Sequence, residues 1–175
     1  MGRAGLGCCD YRAENRAPCV PIYNSRAMAD ETCVFCRIIG GEEMVSLIHE
    51  DDSTLAFLDI SPVSRGHALV VTREHHPQIW EVPQTLLMHC LEVSRRIAAG
   101  IKKSTGAESV NVFCADGIDG GQDVPHFHLH LIPVPKGEVF PLQLPPPGAP
   151  VPSRSERDVI AARIGRAIQE VVGSR

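Results

Sequence analysis

With 175 residues, 43% of them hydrophobic, the chain is long enough to bury one substantial core and too short for several. A net charge of −4 leaves no basic footprint, which argues against a nucleic-acid polymer as partner. No apolar run approaches the roughly 18 residues of a membrane span, and the N-terminus lacks the apolar stretch of a secretory signal.

In chain order, residues 1–27 mix Gly, Arg, Pro and Cys without periodicity and read as a disordered extension or leader, Met28 being a natural start. The seven cysteines (Cys8, Cys9, Cys19, Cys33, Cys36, Cys90 and Cys114) are odd in number and lack disulfide-like spacing, so a reducing, cytoplasmic setting is expected. Cys33 and Cys36 form a Cys-x-x-Cys pair, half of a tetrahedral zinc site; alone the pair fits zinc, redox chemistry or two buried small hydrophobes equally. Thr54–Ile60 and His67–Thr72 are β-branched and apolar and predict strands, with Pro62 and Gly66 marking the turn between them. A helix is predicted from Pro83, because Leu87, Cys90/Leu91, Ser94, Ile97/Ala98 and Ile101 recur at helical spacing, and Gly106 stops it. Ser109–Cys114 predicts a further strand. Beyond the domain at 28–138, the chain turns Pro-rich at 139–154 and reads as a semi-rigid linker. A last amphipathic helix is expected at about 155–172, within a C-terminal segment 155–175, with Val159, Ile160, Ile164, Ala167, Ile168 and Val171 on one stripe.

The chemistry concentrates at His126-Phe127-His128-Leu129-His130-Leu131-Ile132. Successive side chains of a strand point to opposite faces, so a period of two puts His126, His128 and His130 on one face and Phe127, Leu129 and Leu131 on the other. Imidazole suits proton transfer, nucleophilic attack and metal ligation near neutral pH. The preceding loop, residues 115–125, carries Gly117, Gly120 and Gly121, whose freedom at positive φ lets backbone N–H groups converge on an anion. Loop and strand together predict backbone donors holding a phosphate while an imidazole attacks it.

Gly120-Gly121-Gln122-x-Val124-x-His126-x-His128-x-His130 resembles the signature of the histidine-triad (HIT) family of nucleotide hydrolases and transferases. Phe57-Leu58-Asp59-Ile60-Ser61-Pro62, Arg65–Val71 and Cys33–Ile39 are similar to other segments of that family, so the resemblance covers about residues 30–135. It implies an α+β domain with a HIT-like fold, an antiparallel sheet of about five strands with packed helices. Two subunits would join their sheets as a homodimer, with C-terminal segments reaching the partner's site. By the same resemblance His128 attacks an α-phosphate to give a nucleotidyl-histidine, and His130 donates to a phosphate oxygen or the leaving group. Gln122 orients leaving group and water, His67 supports the triad, and Asp59 accepts from the ribose hydroxyls. Phe35, Ile38 and Phe57, with Val34, line the base, while backbone N–H groups at Gly121 and Asp123 face the phosphate. A structural zinc ion is implied at Cys33, Cys36, His75 and His126, with His76 one residue away from the third ligand. The function implied first is hydrolysis of a purine nucleotide phosphoramidate; the alternatives are a dinucleoside polyphosphate hydrolase and a slow-turnover nucleotide-binding regulator. His130 stands where the nucleotidyltransferase branch has Gln, which favours hydrolysis. The chain departs from the family pattern at Ala115, where many members have Asn, at Asp123, where they have Ser or Thr, and at Glu43, near an otherwise apolar base pocket.

Overall fold

The alternation of apolar residues along three adjacent strands decides the architecture seen in a computed structural model, which describes residues 30–140 and 148–173. The expected extension at 1–27 and positions 141–147 of the expected linker lie outside the described residues, as does the side chain of Val171. The chain divides into two units, Met1–Phe140 and Pro141–Arg175.

In the first unit, helix α1 (Val34–Ile39) follows a turn in which the Asp30 carboxylate accepts from the backbone N–H and hydroxyl of Thr32 at 2.8 and 2.6 Å. Strands β1 (Leu47–Glu50), β2 (Thr54–Leu58), β3 (Ala68–Thr72), β4 (Ser109–Phe113) and β5 (His128–Val134) form one sheet in the order β1-β2-β3-β5-β4, every neighbouring pair antiparallel. Helix α2 (Gln84–Thr105) crosses from β3 to β4. Pro83 sits at its N-cap and Gly106 ends it at φ 74°, the left-handed conformation that glycine adopts without a Cβ clash.

Ala56, Val70, Phe127, Leu129 and Leu131 face α2 and pack on its Cys90, Val93, Ile97 and Ile101. Each fully buried aliphatic side chain of this kind contributes about 1.5–3 kcal/mol of transfer free energy. The alternate residues Leu55, Phe57, Leu69 and Val71 face the other way and pack on Cys33, Phe35, Cys36 and Ile38 of the α1 segment. His128 and His130 pair with Val71 and Leu69, which puts the two imidazoles on the α1 face.

Several strand limits differ from the sequence expectation, each for a local reason. The strand expected at Thr54–Ile60 stops at Leu58, because Asp59 Oδ1 accepts the Ser61 N–H (2.8 Å) and turns the chain. His67 precedes β3, its N–H closing a turn on the Ser64 carbonyl (3.0 Å). The strand expected at Ser109–Cys114 ends at Phe113, and that expected at His126–Ile132 runs instead from His128 to Val134. The His126 N–H closes on the Val124 carbonyl (2.8 Å) and the Phe127 N–H reaches the His76 carbonyl (2.5 Å), so ladder pairing begins two residues late. β1 had no counterpart among the predicted strands.

In the second unit, helix α3 (Arg154–Gly173) opens with a reciprocal cap. The Glu156 N–H donates to Ser153 Oγ (3.3 Å), while the Ser153 N–H donates to Glu156 Oε2 (2.8 Å). Val159, Ile160, Ile164 and Ile168 are exposed.

Candidate active site

The two imidazoles on the α1 face come to the site with their protons in opposite places. His128 Nδ1 donates to the His126 carbonyl at 2.7 Å, which assigns its proton to Nδ1 and leaves Nε2 with a free lone pair. The Val63 N–H donates to His67 Nδ1 (3.2 Å), so His67 carries its proton on Nε2 and gives it to His130 Nδ1 at 2.9 Å. His130 is then left with an Nε2–H. The His128 and His130 rings lie 4.8 Å apart, centre to centre. A lone pair and a donor therefore stand side by side. Burial holds His128 and His67 below the ordinary imidazole range and pushes His130 down to about 4, so all three are neutral at pH 7.

Both rings line a cleft of about 570 Å³. Its apolar wall is made by Val34, Phe35, Ile38, Phe57 and Leu69, with Phe35 edge-on to His128 at 5.1 Å between ring centres. Asp59, Gly121 and Asp123 line it too, so the structure brings the residues expected at the base, the ribose and the phosphate into one cavity. Glu43 borders the cleft and pairs with Arg37 at 3.5 Å. Asp59 is partly committed within the protein: Oδ1 accepts the Ser61 N–H, and Oδ2 lies 3.5 Å from His67 Nδ1.

Gln122 departs from its expected place at the leaving group. Its side chain is buried away from the cleft, with Oε1 accepting the Gly117 N–H (2.8 Å) and Nε2 donating to the Pro77 carbonyl (2.7 Å). Its amide closes the glycine loop on itself and ties it to the segment after His76. Asp116 adds a second tie by accepting the Ile79 N–H at 2.9 Å, beside buried Ala115. Sequence reasoning also missed Val63, whose backbone sets the His67 tautomer, and Ser64, whose hydroxyl donates to the Pro133 carbonyl at 2.5 Å. The only trace of them was the Pro62–Gly66 turn leading into His67.

His126 faces a different cluster. Its Nε2 donates to the Thr72 carbonyl (2.7 Å), which turns the Nδ1 lone pair toward Cys33 Sγ at 3.5 Å and Cys36 Sγ at 3.7 Å. His75 Nδ1 lies 3.2 Å from Cys36 Sγ, and one donor atom from each of the four residues lies within 4.8 Å of the others. Tetrahedral zinc bonds of ~2.3 Å to sulfur and ~2.05 Å to nitrogen require S···N edges of about 3.5 Å, so the donor set fits the ion in type and spacing. The Thr72 carbonyl is the outer partner that metal-bound histidines ordinarily use. Burial pushes the Cys36 thiol up to about 11, so a cation is what would hold it as thiolate. His76 is not in this cluster; its Nε2 lies 3.4 Å from Glu74.

Known proteins resemble this chain in sequence and in fold. Adenylylsulfatase HINT3 of Arabidopsis thaliana is 38% identical over 101 residues, 58% of this chain and 51% of that protein, so the chain spans about half of its length. Adenosine 5'-monophosphoramidase HNT1 of Saccharomyces cerevisiae is 35% identical over 107 residues, 61% of this chain and 65% of that protein. A zinc-bound histidine-triad protein of Mycobacterium smegmatis superposes with a TM-score of 0.59 at 34% identity, covering 61% of this chain and 78% of that one. The HIT domain model matches residues 41–137, more than half of the sequence, and the chain belongs to the HIT-domain family.

Proposed function

We propose that the protein is a nucleotidyl hydrolase that cleaves purine nucleotide conjugates, phosphoramidates first, at the α-phosphate through a covalent intermediate on His128. The observation that carries this reading is the opposite protonation of His128 and His130 in one cleft. A neutral imidazole needs no neighbouring base to attack, and covalent catalysis splits one difficult displacement into two easier ones. His128 Nε2 forms a bond to phosphorus while the bond to the leaving nitrogen breaks. The departing amine takes the Nε2 proton of His130, whose Nδ1 keeps the hydrogen bond from His67. Water then attacks the same phosphorus, returns a proton to His130, breaks the Nε2–P bond and releases nucleoside monophosphate. His126 holds His128 by its carbonyl, His67 holds His130, and Gly121 and Asp123 offer backbone N–H groups to the phosphoryl oxygens. Phe35, Ile38 and Phe57 take the base, and Asp59 is nearest the ribose. The names of the Arabidopsis and yeast relatives support a reaction at adenosine-linked phosphate.

Zinc at Cys33, Cys36, His75 and His126 would have four protein ligands and no open position, supplying structure and no Lewis acidity to the phosphate. We also infer a cytoplasmic homodimer joined through β4, an edge strand on which Val112 and Phe113 are exposed.

Turnover of adenosine phosphoramidate and diadenosine tetraphosphate by wild type and His128→Ala tests the reading. Release of AMP by wild type alone, with adenylated His128 trapped on rapid acid quench, is the expected result. Tight nucleotide binding without release of AMP overturns it.

A further inference from the structure

The cleft that would take a phosphorylated ligand has an unusual charge content. Its lining holds three carboxylates, Glu43, Asp59 and Asp123, and no lysine or arginine among the described residues. Backbone N–H groups, the serines Ser46 and Ser61 and the His130 donor are left to face phosphoryl oxygens. That suffices for one phosphate and poorly suits a chain of them, each further phosphate adding a charge that a like-charged wall repels.

The three carboxylates are not equivalent. Glu43 is paired with Arg37, and Asp59 is engaged by Ser61 and lies near His67. Asp123 is exposed, lines the cleft together with His128 and His130, and has no hydrogen-bond or salt-bridge partner among the described residues. Its backbone is held in place from the preceding residue, where buried Gln122 pins the loop to Gly117 and Pro77. An unpaired carboxylate thus lines the cleft that holds both histidines.

We infer that Asp123 is a specificity-determining residue that selects conjugates whose leaving group carries a positively charged ammonium, and discriminates against anionic and polyphosphate leaving groups. The inference rests on the hydrolase reading above. Coulomb attraction across a few ångströms of partly hydrated cleft predicts a preference of about five- to tenfold in kcat/KM for a cation over a neutral isostere.

Three adenylyl phosphoramidates with the same P–N bond test it: those of 1,5-diaminopentane, pentylamine and 6-aminohexanoate, whose far ends are cationic, neutral and anionic. Wild type should cleave them in that order. Asp123→Asn should bring all three within about twofold of one another. Asp123→Glu should keep the order, and high salt should compress it. The inference is overturned if wild type cleaves the three equally, or if Asp123→Asn preserves the ranking while its melting temperature stays that of wild type. If wild type releases AMP from none of them, the hydrolase reading falls and takes this one with it.

Discussion

Gln122→Ala separates two roles for one side chain. If the buried amide holds the glycine loop, its removal deletes the bonds from Gly117 (2.8 Å) and to Pro77 (2.7 Å). Each neutral hydrogen bond contributes about 1 kcal/mol net. Gly117 and Pro77 are half-buried, so water relieves part of the loss at both ends. Truncating a side chain that is only 5% exposed adds roughly 1 kcal/mol for lost packing. The sum, about 2–3 kcal/mol, corresponds to a fall of roughly 10 °C or more in Tm for a domain of this size. Gln122→Glu keeps an acceptor for Gly117 but sets a carboxylate against the Pro77 carbonyl, so it should melt at least as early. Differential scanning calorimetry of the three proteins, beside their kcat on adenosine phosphoramidate, decides the matter. A Gln122→Ala protein that melts within about 1 °C of wild type and loses only turnover refutes the reasoning, because the amide would then act at the leaving group as the family resemblance implied.

Other elements give independent tests. The purified protein should carry close to one zinc ion per chain by plasma mass spectrometry. Cys36→Ser should lose the zinc and increase hydrogen exchange across α1; equal melting of loaded and chelated protein would contradict this. Asp51 binds the β1–β2 turn and α2 together: Oδ1 accepts from the Ser53 and Thr54 N–H groups and Oδ2 from His49 (2.9 Å) and His89 (2.8 Å). Asp51→Ala should cost about 3 kcal/mol by urea unfolding at pH 7. Burial opposes the Asp51 charge, but the donors outweigh it and hold the folded pKa below its unfolded value of about 3.9. The stabilisation is therefore complete above that pH and shrinks as pH falls through and below it. His130 acts in the same direction over a higher pH window. With its folded pKa near 4 against about 6.5 when unfolded, the unfolded chain binds the proton first, so stability should decline as pH drops from 6.5 toward 4. His130→Asn should flatten that slope in a series of thermal melts; an unchanged slope would remove His130 as its source.

The fold was legible where burial imposes a period. Phe127, Leu129 and Leu131 announced a core face, and they are buried in a core whose other wall is α2. Pro83 and Gly106 marked both ends of that helix correctly. β1 escaped because Leu-Ile-His-Glu is short, has no buried residue and lacks a sustained alternation. At the site, residue types were legible and the directions of their bonds were not. The pairing of His67 with His130 and the lone pair on His128 depend on backbone atoms of Val63 and His126, which every sequence has at those positions. The inward turn of Gln122 depends on Pro77, 45 residues away. The junction of His49, Asp51 and His89 likewise joins β1 to α2 across a separation that no local pattern reports.

His126 explains why the first histidine of the triad belongs with the other two although it lies outside the strand. Its ring is turned by the Thr72 carbonyl toward the cysteines, and its own carbonyl receives the His128 Nδ1–H. One residue therefore bears on the Cys/His cluster with its side chain and on the proposed nucleophile with its backbone. The segment that supplies Cys33 and Cys36 also supplies Phe35, which packs edge-on against both His126 (5.8 Å) and His128 (5.1 Å) and forms part of the cleft wall. A shift of α1 would then disturb base wall, metal donors and nucleophile together. Had ladder pairing begun at His126, its N–H and carbonyl would have been drawn into the ladder with β3. Starting β5 at His128 leaves that carbonyl free to accept the His128 Nδ1–H.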